Sequence, residues 1–314
     1  MTGSDIHRVA VIGTGVIGAG WVSYFLARGL EVVATDPAPA AEDHLRADVT
    51  RDWAQLELMG LTPGASVGNL SFTVDIDAAV ATADFVQENG PERLDLKLDL
   101  FRRLDAAAPR HVVVASSSSG LLMSQLQAVC RYPERIVLGH PFNPPHLMPL
   151  VEVVGGAATS PEAIATAMDF YIAIGKRAIH VRREVPAHVA NRLQAALWRE
   201  AFHLVDLGVA TVSDIDTAIS HGPGLRWAFL GPFLNLHLSG GRGGIDHAME
   251  HLGPAIESWW KDLGNPSLTP ELRNKVSKGV HDMLDERSTE AIENQRDRLL
   301  MDLLQAKNGA DNFP

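Results

Sequence analysis

One thirty-residue stretch, His7–Asp36, already commits the first half of this chain to an α/β fold; it reads HRVAVIGTGVIGAGWVSYFLARGLEVVATD. Val9, Ala10, Val11 and Ile12 form an apolar run suited to a strand covered on both faces. Gly13, Gly15 and Gly18 follow in a Gly-x-Gly-x-x-Gly pattern, which permits a tight turn, close approach of backbone to a pyrophosphate and close packing of the next helix on the sheet. That helix opens at Val16 and Ile17, where free amides and the positive end of the dipole favour the same anion. The second strand, Glu31-Val32-Val33-Ala34-Thr35, ends at Asp36, a carboxylate able to accept hydrogen bonds from the adenosine ribose hydroxyls. A 2′-phosphate there would meet that carboxylate with no adjacent Arg or Lys, so the pattern favours NAD over NADP. FAD uses the same turn, and the motif alone leaves it open.

A chain of 314 residues is long enough for two domains. Its formal charge of −11 disfavours a nucleic-acid or anionic-membrane surface, which offers excess carboxylates no partner. The single cysteine, Cys130, rules out an intrachain disulfide and a cysteine-based metal site; with Leu126, Val129 and Tyr132 around it, a half-buried structural thiol is expected. No basic start followed by an apolar core opens the chain and no apolar run is long enough for a bilayer, so a cytoplasmic protein is expected.

From Val9 to about Val181 short apolar runs alternate with helical patterns, the signature of a doubly wound, mostly parallel Rossmann-type sheet. Strands are expected at Val9–Ile12, Glu31–Thr35, Ser71–Val74, Asp84–Gln87, His111–Ala115, Arg135–Gly139, Pro149–Val153 and Ala178–Val181. Leu94, Leu98, Phe101 and Leu104 recur at helical spacing within Arg93–Ala107, and Pro161–Gly175 is a helix with Ser160 as its N-cap. After Pro186 helical patterns dominate: Ala187–Leu207, Val212–Ser220, Phe229–Leu238, Gly244–Leu252, and Pro270–Gln305 with a break near Arg287-Ser288. The expected organisation is a nucleotide-binding domain over 1–185 and an all-helical domain over 186–314 that caps the carboxyl ends of the strands.

Four segments carry polar residues that packing does not require. Ala115-Ser116-Ser117-Ser118-Ser119-Gly120 follows a buried strand, although serines there also satisfy loop backbone. Gly139-His140-Pro141-Phe142-Asn143-Pro144-Pro145 follows another, and its prolines hold a rigid backbone that suits a placed imidazole. Glu152 interrupts the apolar Leu150–Val154; a buried carboxylate needs a partner, and His140 is the natural one, unless Glu152 lies on a solvated rim. Asn191, within Pro186–Leu193, either donates to a substrate oxygen or caps local backbone.

These residues resemble the 3-hydroxyacyl-CoA dehydrogenase family over nearly the full chain. In that family a serine precedes the catalytic histidine by twenty-one positions and a glutamate follows it by twelve, the spacing of Ser119, His140 and Glu152. His140-Pro-Phe-Asn143-Pro matches its His-x-x-Asn-Pro, and Val189-Ala190-Asn191-Arg192-Leu193 its Val-x-Asn-Arg-Leu. Within the family the chain is most similar to the branch holding carnitine dehydrogenase, L-gulonate 3-dehydrogenase and lambda-crystallin, through Ser118-Ser119-Gly120, residues 139–145, and Gly224-Leu225-Arg226-Trp227-Ala228 before Gly231-Pro232.

The resemblance implies an NAD-dependent oxidation of a 3-hydroxyl to a 3-oxo group, so FAD drops out. His140 would be the general base, Glu152 its partner, and Ser119 and Asn191 the hydrogen-bond donors to the reacting oxygen. Glu92 and Lys97 match positions near the nicotinamide ribose, Asn143 joins the cofactor set, and Ser117 stands where the acyl-CoA enzymes carry asparagine.

A CoA thioester calls for Lys or Arg, whereas Pro37–Leu70 holds Arg46 and Arg51 but no lysine, against Glu42, Asp43, Asp48, Asp52 and Glu57. Arg226, in a glycine-rich turn, suits a substrate carboxylate. Trp198 and Trp227 are candidates to offer a face to a quaternary ammonium group; core packing is the expectation for Trp198, while Trp227 is left open between the two. A small free 3-hydroxy acid is therefore expected, carnitine ahead of gulonate and both ahead of a CoA thioester. A crystallin-like structural protein or an NADH sensor is the non-enzymatic alternative. The resemblance further implies a homodimer through the helical domain, with Trp259-Trp260, Ile292, Leu299, Leu300, Leu303 and Leu304 as candidate contacts or as core.

Overall fold

The structure, a computed structural model, describes residues 3–310. Its first half builds one eight-stranded sheet in the order β3-β2-β1-β4-β5-β6-β7-β8. The strands are β1 (Arg8–Ile12), β2 (Glu31–Thr35), β3 (Leu70–Phe72), β4 (Phe85–Glu88), β5 (Val113–Ser116), β6 (Ile136–Pro141), β7 (Leu150–Gly155) and β8 (Arg177–Val181). All neighbours run parallel except β6 and β7, which are antiparallel. The reason is chain length: only residues 142–149 connect those two strands, too few for a crossover that would return in the same direction. The consequence is chemical, because this antiparallel register sets His140 directly opposite Glu152.

Alternation along each strand feeds two cores. Val9 and Val11 face α1 (Val16–Ala27), α2 (Ala41–Met59) and α6 (Pro161–Ala173), where Trp21, Phe25, Leu45 and Phe170 are buried. Ala10 and Ile12 face α3 (Ile76–Val80), α4 (Leu94–Ala107) and α5 (Met123–Gln127), with Phe101, Leu104 and Leu126. Ser160 caps α6 as expected, its hydroxyl accepting the Ala163 amide. Cys130 is half-buried against backbone carbonyls, and burial, with Asp105 next, pushes its thiol up to about 12.

The chain divides into two compact units after Arg192, against an expected boundary near 185. Helix α7 (Ala190–Asp206) starts three residues later than its periodicity suggests, because Ala187 and His188 both adopt left-handed backbone that a right-handed helix cannot include. The second unit continues with α8 (Val212–Ser220), α9 (Pro223–Trp227), α10 (Pro232–Ser239), α11 (Gly244–Asp262), α12 (Pro270–Leu284) and α13 (Thr289–Asn308). The expected break after α12 falls at Asp285, also left-handed, and Ser288 caps α13. Arg226 lies in the short helix α9 rather than in a turn, since Pro223 is preset for a first helical turn. Trp198 is 53% exposed rather than core, and with Phe202, Val205 and Val276 it lines an apolar cavity of about 170 Å³. Among the described residues no helix is long and apolar enough to cross a membrane.

Below the sheet's second face, the buried Arg135 donates to Asp105 at 3.0 Å, and the same carboxylate accepts the amides of Arg131 and Tyr132. Replacing Arg135 by Leu leaves that carboxylate buried and without its counter-charge. Urea unfolding is expected to show a loss of about 3–5 kcal/mol.

Candidate active site

The carboxyl ends of β1, β4, β5 and β6 carry the chemistry-bearing residues. After β1, Gly13 takes φ +85°, and a side chain there would strike the Asn89 carbonyl at 2.8 Å. A β-carbon on Gly18 would lie 1.9 Å from the Gly13 carbonyl oxygen, so the turn and helix α1 can close on each other only through glycine. Gly15 differs, since no atom lies within 4 Å of its missing β-carbon. The turn therefore presents open backbone at Gly15, and α1 begins there with no side-chain cap on its amides. Val16 is 71% exposed beside it. Asp36 braces the turn, one oxygen accepting the Thr14 amide at 2.8 Å and the other the Ala38 amide at 2.9 Å. This arrangement fits a dinucleotide, with an uncapped helix start for the pyrophosphate and a carboxylate with spare lone pairs for a ribose.

The loop after β5 is held from below and from one side. Ser116 donates to Glu88 at 2.6 Å, and Glu88 in turn binds the Lys97 ammonium through both oxygens at 2.8 and 2.9 Å. Lys97, 1% exposed, is closed inside this pair and acts on the loop through Glu88. The Ser117 hydroxyl accepts from Gln87 and Trp21 and donates to Asn89, so it too is engaged within the protein. Glu92 gathers the loop tip, where one oxygen accepts the Ser118 hydroxyl at 2.6 Å, the Ser119 amide at 3.0 Å and the Gly120 amide at 2.9 Å. Ser119 itself is exposed, and among the described residues its hydroxyl makes no hydrogen bond.

At the end of β6, the buried His140 approaches Glu152 with Nδ1 at 2.9 Å from Oε2. The other glutamate oxygen accepts the amides of Val189 and Ala190 at 2.9 and 3.0 Å, tying the start of α7 to β7. Burial pushes the Glu152 carboxyl up, but the bonds from His140, Ala190 and Val189 outweigh it and hold the group below the usual carboxylate range. The stability gained from this depression is present above the unfolded value and is lost as pH falls through the folded one. An ionised carboxylate only accepts, so Nδ1 of His140 carries the hydrogen and Nε2 keeps a lone pair, the arrangement of a general base. Asn191 follows directly in the first turn of α7, half-buried.

Phe142–Pro149, the β6–β7 connection, is clamped from two sides. Buried Lys176 donates to the carbonyls of Pro145 and Met148, and His146 bonds Gln55 on α2 at 2.8 Å and faces Asp52 at 3.4 Å. Asn143 stands exposed on this connection.

Thus His140 and Glu152 are paired, Glu152 holds the two amides that immediately precede Asn191, and Ser119 is held at its amide by Glu92. Arg226 and Trp227 lie in the second unit, both exposed on α9. Sequence reasoning passed over Glu88, Gln87 and His188. The signal for the first two was present, since polar residues closing the apolar strand Phe85-Val86-Gln87-Glu88 stand out on the same ground that singled out Glu152.

Comparison with known proteins agrees with this geometry. The family model described as 3-hydroxyacyl-CoA dehydrogenase, NAD binding domain, matches residues 8–185, and that of the 3-hydroxyacyl-CoA dehydrogenase C-terminal domain matches residues 188–305. The chain belongs to the 3-hydroxyacyl-CoA dehydrogenase family, and it is an NAD-dependent oxidoreductase acting on a CH–OH group. Among its relatives, L-carnitine dehydrogenase of Streptomyces coelicolor is 52% identical over 302 residues, 96% of this chain and 95% of that one. The enzyme of the same name from Pseudomonas putida is 51% identical over 303 residues, 96% and 94% of the two chains. A solved structure of 5-formyl-3-hydroxy-2-methylpyridine 4-carboxylic acid 5-dehydrogenase, an NAD+-dependent dismutase, is 34% identical, with a TM-score of 0.84 over 98% of this chain and 100% of that chain.

The open space at Gly15 yields a direct expectation. Gly15→Ala keeps the wild-type melting temperature, because its methyl meets no protein atom, yet weakens NADH binding by about tenfold or more in a fluorescence titration.

Proposed function

We propose that this chain oxidises the 3-hydroxyl of L-carnitine to the 3-oxo acid. The observation that carries the reading is identity of about half of all positions, over nearly the whole of both chains, to several L-carnitine dehydrogenases. NAD, when bound, supplies the hydride acceptor. Gly13, Gly15, Gly18 and the amides of Val16 and Ile17 would hold its pyrophosphate, and Asp36 its adenosine ribose, with Asn143 and the Glu92-braced loop toward the nicotinamide end.

His140 takes the hydroxyl proton at Nε2 as the carbinol hydride leaves. Glu152, already ionised, stabilises the imidazolium that results. The Ser119 hydroxyl and the Asn191 amide orient the reacting oxygen and strengthen their bonds as alkoxide charge develops on it.

The balance of charge on α2 supports a free acid over a CoA thioester. Arg46 is paired with Glu42, and Arg51 with Asp48 and Asp52, so neither is left free for a phosphate. Arg226 has no ion pair among the described residues and is suited to the carboxylate of carnitine. The exposed faces of Trp227 and Trp198 suit a trimethylammonium group, which attracts aromatic rings but cannot donate a hydrogen bond. We further propose a homodimer built through the helical unit, supported by Phe233, Trp259 and Trp260, which are 80%, 60% and 66% exposed in the single chain.

Initial rates of NADH formation with L-carnitine, L-gulonate, 3-hydroxybutyrate and 3-hydroxybutyryl-CoA test the reading. L-Carnitine is expected to exceed each of the others by about a hundredfold in kcat/KM. A higher value for any other member of the panel contradicts it.

A further inference from the structure

A second histidine stands beside His140 and has no part in the chemistry described above. His188 is 2% exposed, and its ring centroid lies 5.3 Å from that of His140. Its backbone and that of Ala187 both take left-handed conformations, held in place just before α7 begins. Its Nε2 lies 3.2 Å from the carbonyl oxygen of Ser118, the residue preceding Ser119.

We infer that His188 is a positioning residue whose neutral ring ties the serine loop to the start of α7 beside His140, and whose protonation would set a buried Nδ1–H with no acceptor and a cation against His140. The inference rests on the reading of His140 as the base. A carbonyl oxygen only accepts, so Nε2 of His188 carries the hydrogen, and in a neutral ring Nδ1 is then a bare lone pair. Nδ1 is buried and has no hydrogen-bond partner among the described residues. Protonation would therefore create a buried N–H without an acceptor and place a cation against the ring that must itself become cationic during turnover.

On balance the surroundings of His188 disfavour its charge. Burial, and then His140 on β6, hold its pKa below the ordinary histidine value. The Ser118 carbonyl, Glu152 on β7 and Glu92 before α4 favour the charge less strongly. Both carboxylates are also committed elsewhere, Glu152 to His140 and the α7 amides, Glu92 to the loop tip. Glu92 thus holds the serine loop on one side and His188 on the other, and moving the Ser118 peptide moves Ser119.

If both histidines must be neutral, kcat/KM falls at acid pH with a limiting logarithmic slope approaching two rather than one. The test compares pH profiles with L-carnitine and NAD for wild type, His188→Gln, His188→Phe and His140→Asn, together with melting temperature against pH. Gln keeps a donor for the Ser118 carbonyl but does not titrate. His188→Gln is expected to keep turnover at neutral pH within about threefold and to show a slope of one. It should also lack the part of the stability loss that wild type suffers as pH falls from the ordinary histidine value through the lower folded one.

His188→Phe removes the donor and is expected to lose about tenfold to a hundredfold in kcat/KM, with NADH affinity unchanged. Should that variant fail to fold, His188→Gln decides alone. A slope of two retained in His188→Gln, or wild-type kcat/KM at neutral pH in His188→Phe, overturns the inference. Turnover by His140→Asn at near wild-type rate overturns instead the base reading beneath it. An inactive His140→Asn with an unchanged His188→Gln profile removes the inference alone.

Discussion

The carboxylate of Glu152 is the point on which this site turns. One oxygen takes the Nδ1 hydrogen of His140 and the other takes the amides of Val189 and Ala190, so a single buried side chain fixes the imidazole and fastens the start of α7. Its charge is tolerable only because these three donors replace the water it has lost. The arrangement in turn depends on the antiparallel step between β6 and β7, which the short 142–149 connection imposes. A parallel β7 would have carried Glu152 away from its partner.

Around this point the fold supplies donors and constraints from successive strand ends. β1 ends in the glycine turn, β4 in the buried Glu88–Lys97 pair, β5 in the serine loop and β6 in His140. Because the neighbouring strands β1, β4, β5 and β6 run parallel, their carboxyl ends lie at the same end of the sheet. Each polar group there is braced by another, Ser116 by Glu88, the loop tip by Glu92 and the connection after His140 by Lys176 and His146. In the proposed reaction such bracing would leave Ser119 and the His140 Nε2 lone pair free for a substrate while the backbone that carries them is fixed.

The strands and most helices were readable from the sequence, because a sheet buried on both faces needs near-continuous apolar runs and Ser160, Gly13 and Pro270 mark their ends with local chemistry. The pairing of His140 with Glu152 was readable as well, from one carboxylate inside an apolar strand. What escaped were features set by tertiary contact. The left-handed pair Ala187-His188 delays α7 and carries no glycine to announce it. The engagement of Lys97 and Ser117 inside the protein depends on Glu88 at the end of β4 and on Asn89 directly after it. Trp198 was expected in a core, yet the helical unit buries few large side chains in the single chain.

The account stands or falls on the state of one ring. Nitrogen NMR of the His140 imidazole in the resting enzyme at neutral pH, assigned by its absence in a His140 variant, reads that state directly. A protonated Nδ1 and an unprotonated Nε2 are predicted, as Glu152 requires. A signal from the opposite tautomer, with the hydrogen on Nε2, would contradict the arrangement on which the proposed chemistry depends.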